Sequence, residues 1–389
     1  MRYSVDAHAI GQHLTGNETY IRNLLKGFAL CGEDAEFIAY ISRSCARDEI
    51  PAGFAVHEVS VNPFARLGFD LPRRLLRDRP DLLHVQYTAP LFTSIPIVVS
   101  VHDISFLTHP HYFTRARAVQ LNVTVRSTVK QASAVLTPSE FSRRGIIGAY
   151  GLSEDAVHVI PNGVSSTFRP VARELASRRV SEKYGFRAPY ILTVGDLQPR
   201  KNHAGLFHAF EDLLRENPSL PHHLVVTGKR TWYGARVYQE ARESAVASRI
   251  HFTDFVDDDD LVQLYGGCDL FVFPSFYEGF GLPILEAMAC GRAVACSDTS
   301  AMPEVADSAA LLFDPYLPGQ MARAMRDLLI DSELRARMER LGLQRAAQFS
   351  WQKTAERTLR VYHAVAASEQ PVGVAANTAP VGPSSMSPR

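Results

Sequence analysis

Short apolar runs recur along the 389-residue chain, each followed by a polar or glycine-containing turn and then by a longer amphipathic stretch. Residues 3–7, 36–42, 55–59, 82–86, 96–101, 134–138 and 157–160 form such runs in the first half. Residues 190–194, 223–227, 250–255, 270–274, 293–296 and 310–313 form them in the second. The runs are continuously apolar rather than alternating, the pattern of strands covered on both faces of a parallel sheet. Helices are predicted between them, at about 20–30 (YIRNLLKGFAL), 117–131, 203–216, 319–349 and 351–367, and after Ser139 (FSRRGIIGAYG). Ser139 suits an N-cap and Gly151 a helix stop. Strands alternating with helices predict an α/β chain built twice over, with a turn signal at Pro161-Asn162-Gly163-Val164 where the two halves meet.

The most informative stretch is 270–297, LFVFPSFYEGFGLPILEAMACGRAVACS. It reads as strand, glycine loop, helix and strand. Pro283 suits the first helical position and Gly291 the end. Glu278 lies just past the strand's carboxyl end and Glu286 about one turn into the helix, with seven residues between them. In open α/β sheets, ligands bind beyond the carboxyl ends of strands. The free amides of the loop and helix start attract an anion, and Gly279 and Gly281 let it approach the backbone. A carboxylate there repels phosphate, so both glutamates read as acceptors for hydroxyls on either side of one. That describes a sugar nucleotide. The bland alternative for each is a dipole partner and an ordinary turn.

Composition narrows the field. The length predicts two domains, and 46% hydrophobic residues suffice for two cores. Lys plus Arg and Asp plus Glu are equal at 41 each, which gives no global field for nucleic acid. The five cysteines, at 31, 45, 268, 290 and 296, have no metal-ligand spacing and predict buried thiols in a reducing compartment. No leader is visible and no apolar run approaches the ~20 residues that span a bilayer, so a cytoplasmic location is expected.

Other stretches carry chemistry. His102-Asp103 follows directly on the strand at 96–101. Asp103 either orients the imidazole or caps the next segment. In GDLQPRKN (195–202), Arg200 and Lys201 stand at the mouth of a helix N-terminus, against dipole logic. A bound pyrophosphate reconciles them, Arg as a fork and Lys as a point charge. Gly11 and Gly16 lie in the loop after the first strand, and Glu18 there is expected to face acceptor or solvent. Gly228-Lys229 lacks a P-loop around it, and GFGLPI has Ile284 where a dinucleotide fingerprint needs its last glycine. Asp257 to Asp260 read as helix-capping acids rather than a metal site. His109 and His111 read as loop residues. Residues 62–79 carry Arg66, Arg73, Arg74, Arg77 and Arg79 among Phe64, Leu67, Phe69, Leu71, Leu75 and Leu76. This is either a helix with solvated arginines or a basic amphipathic surface for anionic lipid or a lipid-pyrophosphate acceptor.

EGFGLPILE resembles the E-x7-E motif of the retaining glycosyltransferases of family 4, which share the GT-B fold. The resemblance covers about residues 1–365 and is strongest over 190–315. It implies an α/β fold of two Rossmann-like parallel-sheet domains facing across a cleft. Residues 1–163 form the acceptor side, 171–349 bind the nucleotide sugar, 350–367 cross back onto the first domain, and 368–389 are a disordered tail. It further implies that Glu286 holds the ribose hydroxyls. Glu278, with the amides of Phe280, Gly281 and Leu282, holds the transferred sugar, and Gly279 belongs to that loop. Arg200 and Lys201 take up the departing pyrophosphate, and His102 hydrogen-bonds the sugar from the opposing domain. Gly16 approaches the donor phosphates, and Gly228 and Lys229 lie beside the nucleoside. The usual second glycine near Gly16 is missing, and Asp196 stands where many relatives carry arginine. The implied reaction is retaining transfer to an acceptor hydroxyl, whose proton the leaving phosphate takes, with no metal and no cofactor. The wording PRKN and YEGFGLP resembles bacterial mannosyltransferases of polysaccharide and lipopolysaccharide assembly, which makes GDP-mannose the first expectation for the donor. The expected acceptor is a glycan or lipid-linked glycan, and the basic-surface reading of 62–79 would add peripheral contact with the inner membrane face. Rival readings are an epimerase or phosphorylase on this fold, or a protein that only binds nucleotide sugars.

Overall fold

The computed structural model describes residues 1–12, 15–186 and 189–368. The expected tail therefore falls, from 369 onward, outside the described residues. The first half holds β1 (Arg2–Asp6), β2 (Glu36–Ile41), β3 (Ala55–Glu58), β4 (Leu82–Gln86), β5 (Ile97–Ser100), β6 (Ala134–Thr137) and β7 (Val157–Val159). They pair in the order β3-β2-β1-β4-β5-β6-β7, every pair parallel. The second half holds β8 (Tyr190–Val194), β9 (His223–Thr227), β10 (Ile250–Asp254), β11 (Leu270–Phe273), β12 (Val294–Ser297) and β13 (Leu311–Phe313). Their order is β10-β9-β8-β11-β12-β13, again all parallel. Strand order reverses between β1 and β4 and between β8 and β11. At such switch points the loops diverge and leave a crevice.

Alternate residues of each strand feed different cores. In the first sheet Tyr3, Val5, Leu82 and Val98 pack on one side, and Leu83, Val85, Val99 and Val135 on the other. Leu192, Val225 and Phe271 divide from Ile191, Leu224 and Leu270 in the same way in the second. Burial of both faces is why the strands read as unbroken apolar runs.

The helix Trp351–Ala367 is capped by Ser350 and buries Trp351, Ala355, Leu359 and Tyr362 in the first half's core, against the helix Thr15–Leu30. The fit depends on Gly27, where a Cβ would lie 2.5 Å from the Trp351 carbonyl oxygen. A buried chain ties this helix to the strand ends. Tyr362 Oη lies 2.5 Å from His84 Nδ1, His84 Nε2 lies 2.7 Å from Ser100 Oγ, and Ser100 Oγ lies 2.8 Å from Tyr20 Oη. Burial, aided by nearby His102, lowers the His84 pKa to about 3, so the imidazole is neutral and can accept on one nitrogen and donate from the other.

Several expectations need correction. The first helix starts at Thr15, not at about 20, so Gly16 is in its first turn rather than in a loop. Glu18 does not face solvent. It is buried, accepts a hydrogen bond from the Gly11 amide at 2.9 Å and pairs with Arg22 at 3.2 Å. The stretch 319–349 is two helices, Pro318–Ile330 and Ser332–Ala346, broken where Asp331 caps the second. Within 62–79, Pro63–Ala65, Arg66–Asp70 and Leu71–Asp78 run on as one helix with a π-helical middle turn. Arg66 is not solvated there. It is buried with Nε 3.6 Å from the buried carboxylate of Asp6. Cys268, Cys290 and Cys296 are buried, but Cys45 is exposed and Cys31, just past the end of the first helix, is half-buried. No helix among the described residues is long and apolar enough to cross a membrane.

Candidate active site

A cavity of about 310 Å³ opens between the two halves at the carboxyl ends of both sheets. Its lining includes every residue expected from the sequence: Gly16 and His102 from the first half, and Arg200, Lys201, Gly228, Lys229, Glu278, Gly279, Phe280, Gly281, Leu282 and Glu286 from the second. Arg200 and Lys201 sit on a short turn, Pro199–Lys201, after β8. Asn202 then caps the helix His203–Glu216 with its side chain. Glu278 sits on the loop after β11, and Gly281 is the N-cap of the helix Leu282–Ala289, at φ +114°.

The charges are arranged differently from expectation. One oxygen of Glu278 lies 2.6 Å from Arg200 Nη1 and 2.8 Å from Lys201 Nζ. The carboxylate is thus already the counter-ion of both cations. Burial alone would raise its pKa, but the two cations outweigh it and hold it down to about 2. Lys201 is pushed below the ordinary lysine range by burial and by Arg200, against the pull of Glu278. Its ammonium also lies 4.6 Å from the centre of the Phe273 ring. Arg200 is braced by the Tyr277 carbonyl at 3.1 Å and Gln198 Oε1 at 3.2 Å.

Glu286 behaves in the opposite way. It is 8% exposed, no cation among the described residues is paired with it, and burial, reinforced by Asp258, raises its pKa to about 7. Tyr265 Oη donates to it at 2.8 Å.

His102 Nε2 lies 2.9 Å from Gln86 Oε1, and Gln86 Nε2 donates to the Asn17 carbonyl at 3.2 Å. The second bond sets the amide's orientation, so Nε2 carries the imidazole proton and Nδ1 is left as an acceptor. Burial lowers the His102 pKa to about 4, which keeps the ring neutral. The Tyr20 ring packs edge-on at 4.5 Å. Asp103 does not orient the imidazole. Its Oδ1 accepts from the Ser105 amide at 2.8 Å and hydroxyl at 2.6 Å, capping the next turn. Gln86 does that orienting and was missed, although a polar residue ending the apolar run LLHVQ at a strand's carboxyl end was the available signal.

Gly279 also packs between the halves. A Cβ there would lie 2.1 Å from the His102 carbonyl oxygen. Its own carbonyl accepts from Ser139 Oγ at 2.8 Å. This glycine permits close contact between the halves. Beside it, the Glu304 carboxylate accepts from the amides of Glu140 and Phe141 at 2.9 and 2.7 Å, capping a helix of the first half from the second. Gly228 likewise packs on Gly195, whose carbonyl oxygen a Cβ would meet at 2.1 Å, whereas a Cβ at Gly16 would meet nothing within 4 Å. Asp257 caps the helix Asp258–Gly267, and Asp260 pairs with Lys183 and Tyr184. No cluster of His, Cys, Asp and Glu among the described residues is arranged to hold a metal ion.

Residues 177–345 match the family described as Glycosyl transferases group 1, and residues 14–168 match Glycosyltransferase Family 4. O-antigen chain mannosyltransferase B of Escherichia coli is 34% identical over 266 residues, covering 68% of this chain and 69% of that protein. The chain is a family 4 glycosyltransferase. The transferase is also 30% identical over 245 residues to the serotype-specific mannosyltransferase WbdA of Escherichia coli, a match covering 62% of this chain and 30% of WbdA. It thus spans less than a third of that relative. The solved structure of Anabaena HepE in complex with UDP and glucose superposes with a TM-score of 0.73 at 19% identity, covering 93% of this chain and 99% of that one. The glycosyltransferase therefore has the GT-B fold that its sequence resemblance implied.

Proposed function

We propose that this glycosyltransferase moves a mannosyl unit, with retention, from GDP-mannose to a hydroxyl of a glycan or lipid-linked glycan in polysaccharide assembly. The observation that carries the reading is one cavity with Glu278, Arg200 and Lys201 clustered on one wall and a neutral His102 on the other. Glu286 grips the ribose hydroxyls. Arg200 and Lys201 take the diphosphate, and Glu278, displaced from them by it, turns with the amides of Phe280, Gly281 and Leu282 to the sugar. His102 accepts a sugar hydroxyl's hydrogen on Nδ1. The bond from the anomeric carbon to the diphosphate oxygen breaks as the acceptor oxygen bonds to the same face, and the acceptor's proton passes to the departing phosphate. Positioned donors of this kind are typically worth about 10²–10³ in rate each. Residues 171–349 carry the donor and 1–163 the acceptor. On the first half, Arg73 and Arg77 with the exposed Phe64, Phe69 and Leu76 give a basic apolar face suited to the surface of an anionic membrane. The names of the two Escherichia coli relatives support mannose.

The test is a thermal-shift screen of GDP, UDP and ADP sugars with EDTA present, followed by transfer of labelled sugar. A ligand at 100 times its Kd stabilises by about 2.7 kcal/mol. GDP-mannose is expected to raise Tm most, with no loss to EDTA. A flat response to every sugar nucleotide would overturn the reading.

Donor affinity should depend on pH through Glu286. The ionised carboxylate accepts two ribose hydroxyls, whereas the protonated form gives up part of that capacity. Since its pKa is about 7, GDP affinity should fall as pH drops from 8 to 6. Calorimetry should show Glu286→Gln binding more weakly at pH 8 and with this dependence flattened.

A further inference from the structure

Tyr87 follows directly on β4, with its amide donating to the Ser100 carbonyl at 3.0 Å. Its φ is +60°, in the left-handed region that bulky side chains avoid. Asn202 and Ser300 also have positive φ near the cavity, and each has a local duty. Asn202 caps a helix, and Ser300 Oγ accepts the Glu278 amide at 2.9 Å. A glycine or asparagine would make the turn at 87 without strain. An aromatic residue held there points to work for the ring.

The ring lines the cavity, centred 5.6 Å from the His102 imidazole and 6.3 Å from Phe106. It stands on the wall opposite Arg200 and Glu278. The loop beyond it is pinned to the helix Arg115–Gln131, by Thr88 to Thr124 at 3.2 Å and by the Ala89 amide to Thr128 Oγ1 at 2.9 Å. The ring is therefore presented by a fixed support. None of the roles assigned above uses it. With the donor seated on the second half, the acceptor must arrive along the first, past this ring. A pyranose acceptor has one face of C–H groups, which an aromatic surface covers well.

We propose that Tyr87 is the platform on which the acceptor's sugar ring rests, and so a determinant of acceptor specificity; this rests on the donor-binding reading of the cavity. The test compares Tyr87→Asn, which tolerates the left-handed backbone but lacks the ring, with Tyr87→Phe, which keeps it. The probes are GDP for donor-site affinity and methyl α-mannoside as acceptor, with the donor found by the screen. Tyr87→Asn should raise the acceptor KM on the order of tenfold. GDP affinity should stay within about twofold, and Tyr87→Phe should restore most of the acceptor affinity. An unchanged acceptor KM in Tyr87→Asn, or a loss of GDP affinity that matches the loss of acceptor affinity, would overturn the proposal. Neither result touches the donor-binding reading, which fails instead if Lys201→Ala turns over normally.

Discussion

Lys201→Ala is expected to lose about 10²–10³ of kcat while keeping the fold, since one preorganised donor to the departing diphosphate disappears. The fold survives because Glu278 keeps Arg200 as its partner at 2.6 Å. Glu278→Ala is a different case. It strands two buried cations, and removing one member of such a cluster costs roughly 3–5 kcal/mol. A fall in Tm is therefore expected beside the fall in turnover, and an intact fold should not be assumed for it. Glu278→Gln separates the effects. It keeps the shape but removes the carboxylate that competes with a diphosphate for the same two cations. GDP should bind more tightly to Glu278→Gln than to the wild type, and turnover should still fall because the sugar loses its grip. Calorimetry and steady-state kinetics on the same variants read both quantities. The stabilising contribution of Glu278 also has a defined pH window. Its folded pKa of about 2 lies below the ordinary 4.5, so the contribution is present above that value and is lost as pH falls through the folded one.

Gly279→Ala should be severely damaging for a change that adds one methyl group. The new Cβ would lie 2.1 Å from the His102 carbonyl oxygen and 2.9 Å from its carbonyl carbon. Both are backbone atoms at the end of a strand segment, so neither can give way as a flexible side chain would. The halves must part, and the Ser139 and Glu304 contacts between them go as well. A misplacement of about 1 Å can cost 10²-fold in rate. Turnover should drop at least that far, with a lower Tm. Gly148→Ala serves as the control for Tm. It lies in the helix Glu140–Tyr150 with nothing within 4 Å of its would-be Cβ, and alanine is the better helix former.

These two sites show what could be read from the sequence and what could not. The donor side was legible because its chemistry is local: strand, glycine loop and helix bring Glu278 and Glu286 together within one βαβ unit. The counter-ion role of Glu278 was not, because Arg200 and Lys201 reach it from a loop on a neighbouring strand. Gly279 reads as a loop glycine until His102 is placed against it. The start of the first helix is not legible because its first turn, Thr15 to Glu18, has no apolar residue. The buried periodicity starts at Tyr20 and continues through Ile21, Leu24, Leu25 and Phe28. Arg66 looked solvated because its partner, Asp6, lies on the first strand. Gln86 and Tyr87 escaped notice for a similar reason. One ends an apolar strand and the other begins the loop, and only tertiary structure brings both to His102.

The most direct measurement is a crystal structure of the transferase with GDP bound. The expected result is a diphosphate within hydrogen-bond distance of Arg200 and Lys201, Glu278 moved off those cations, and the ribose hydroxyls on Glu286. A nucleotide bound outside this cavity, or inside it with its diphosphate away from both cations, would contradict the assignment.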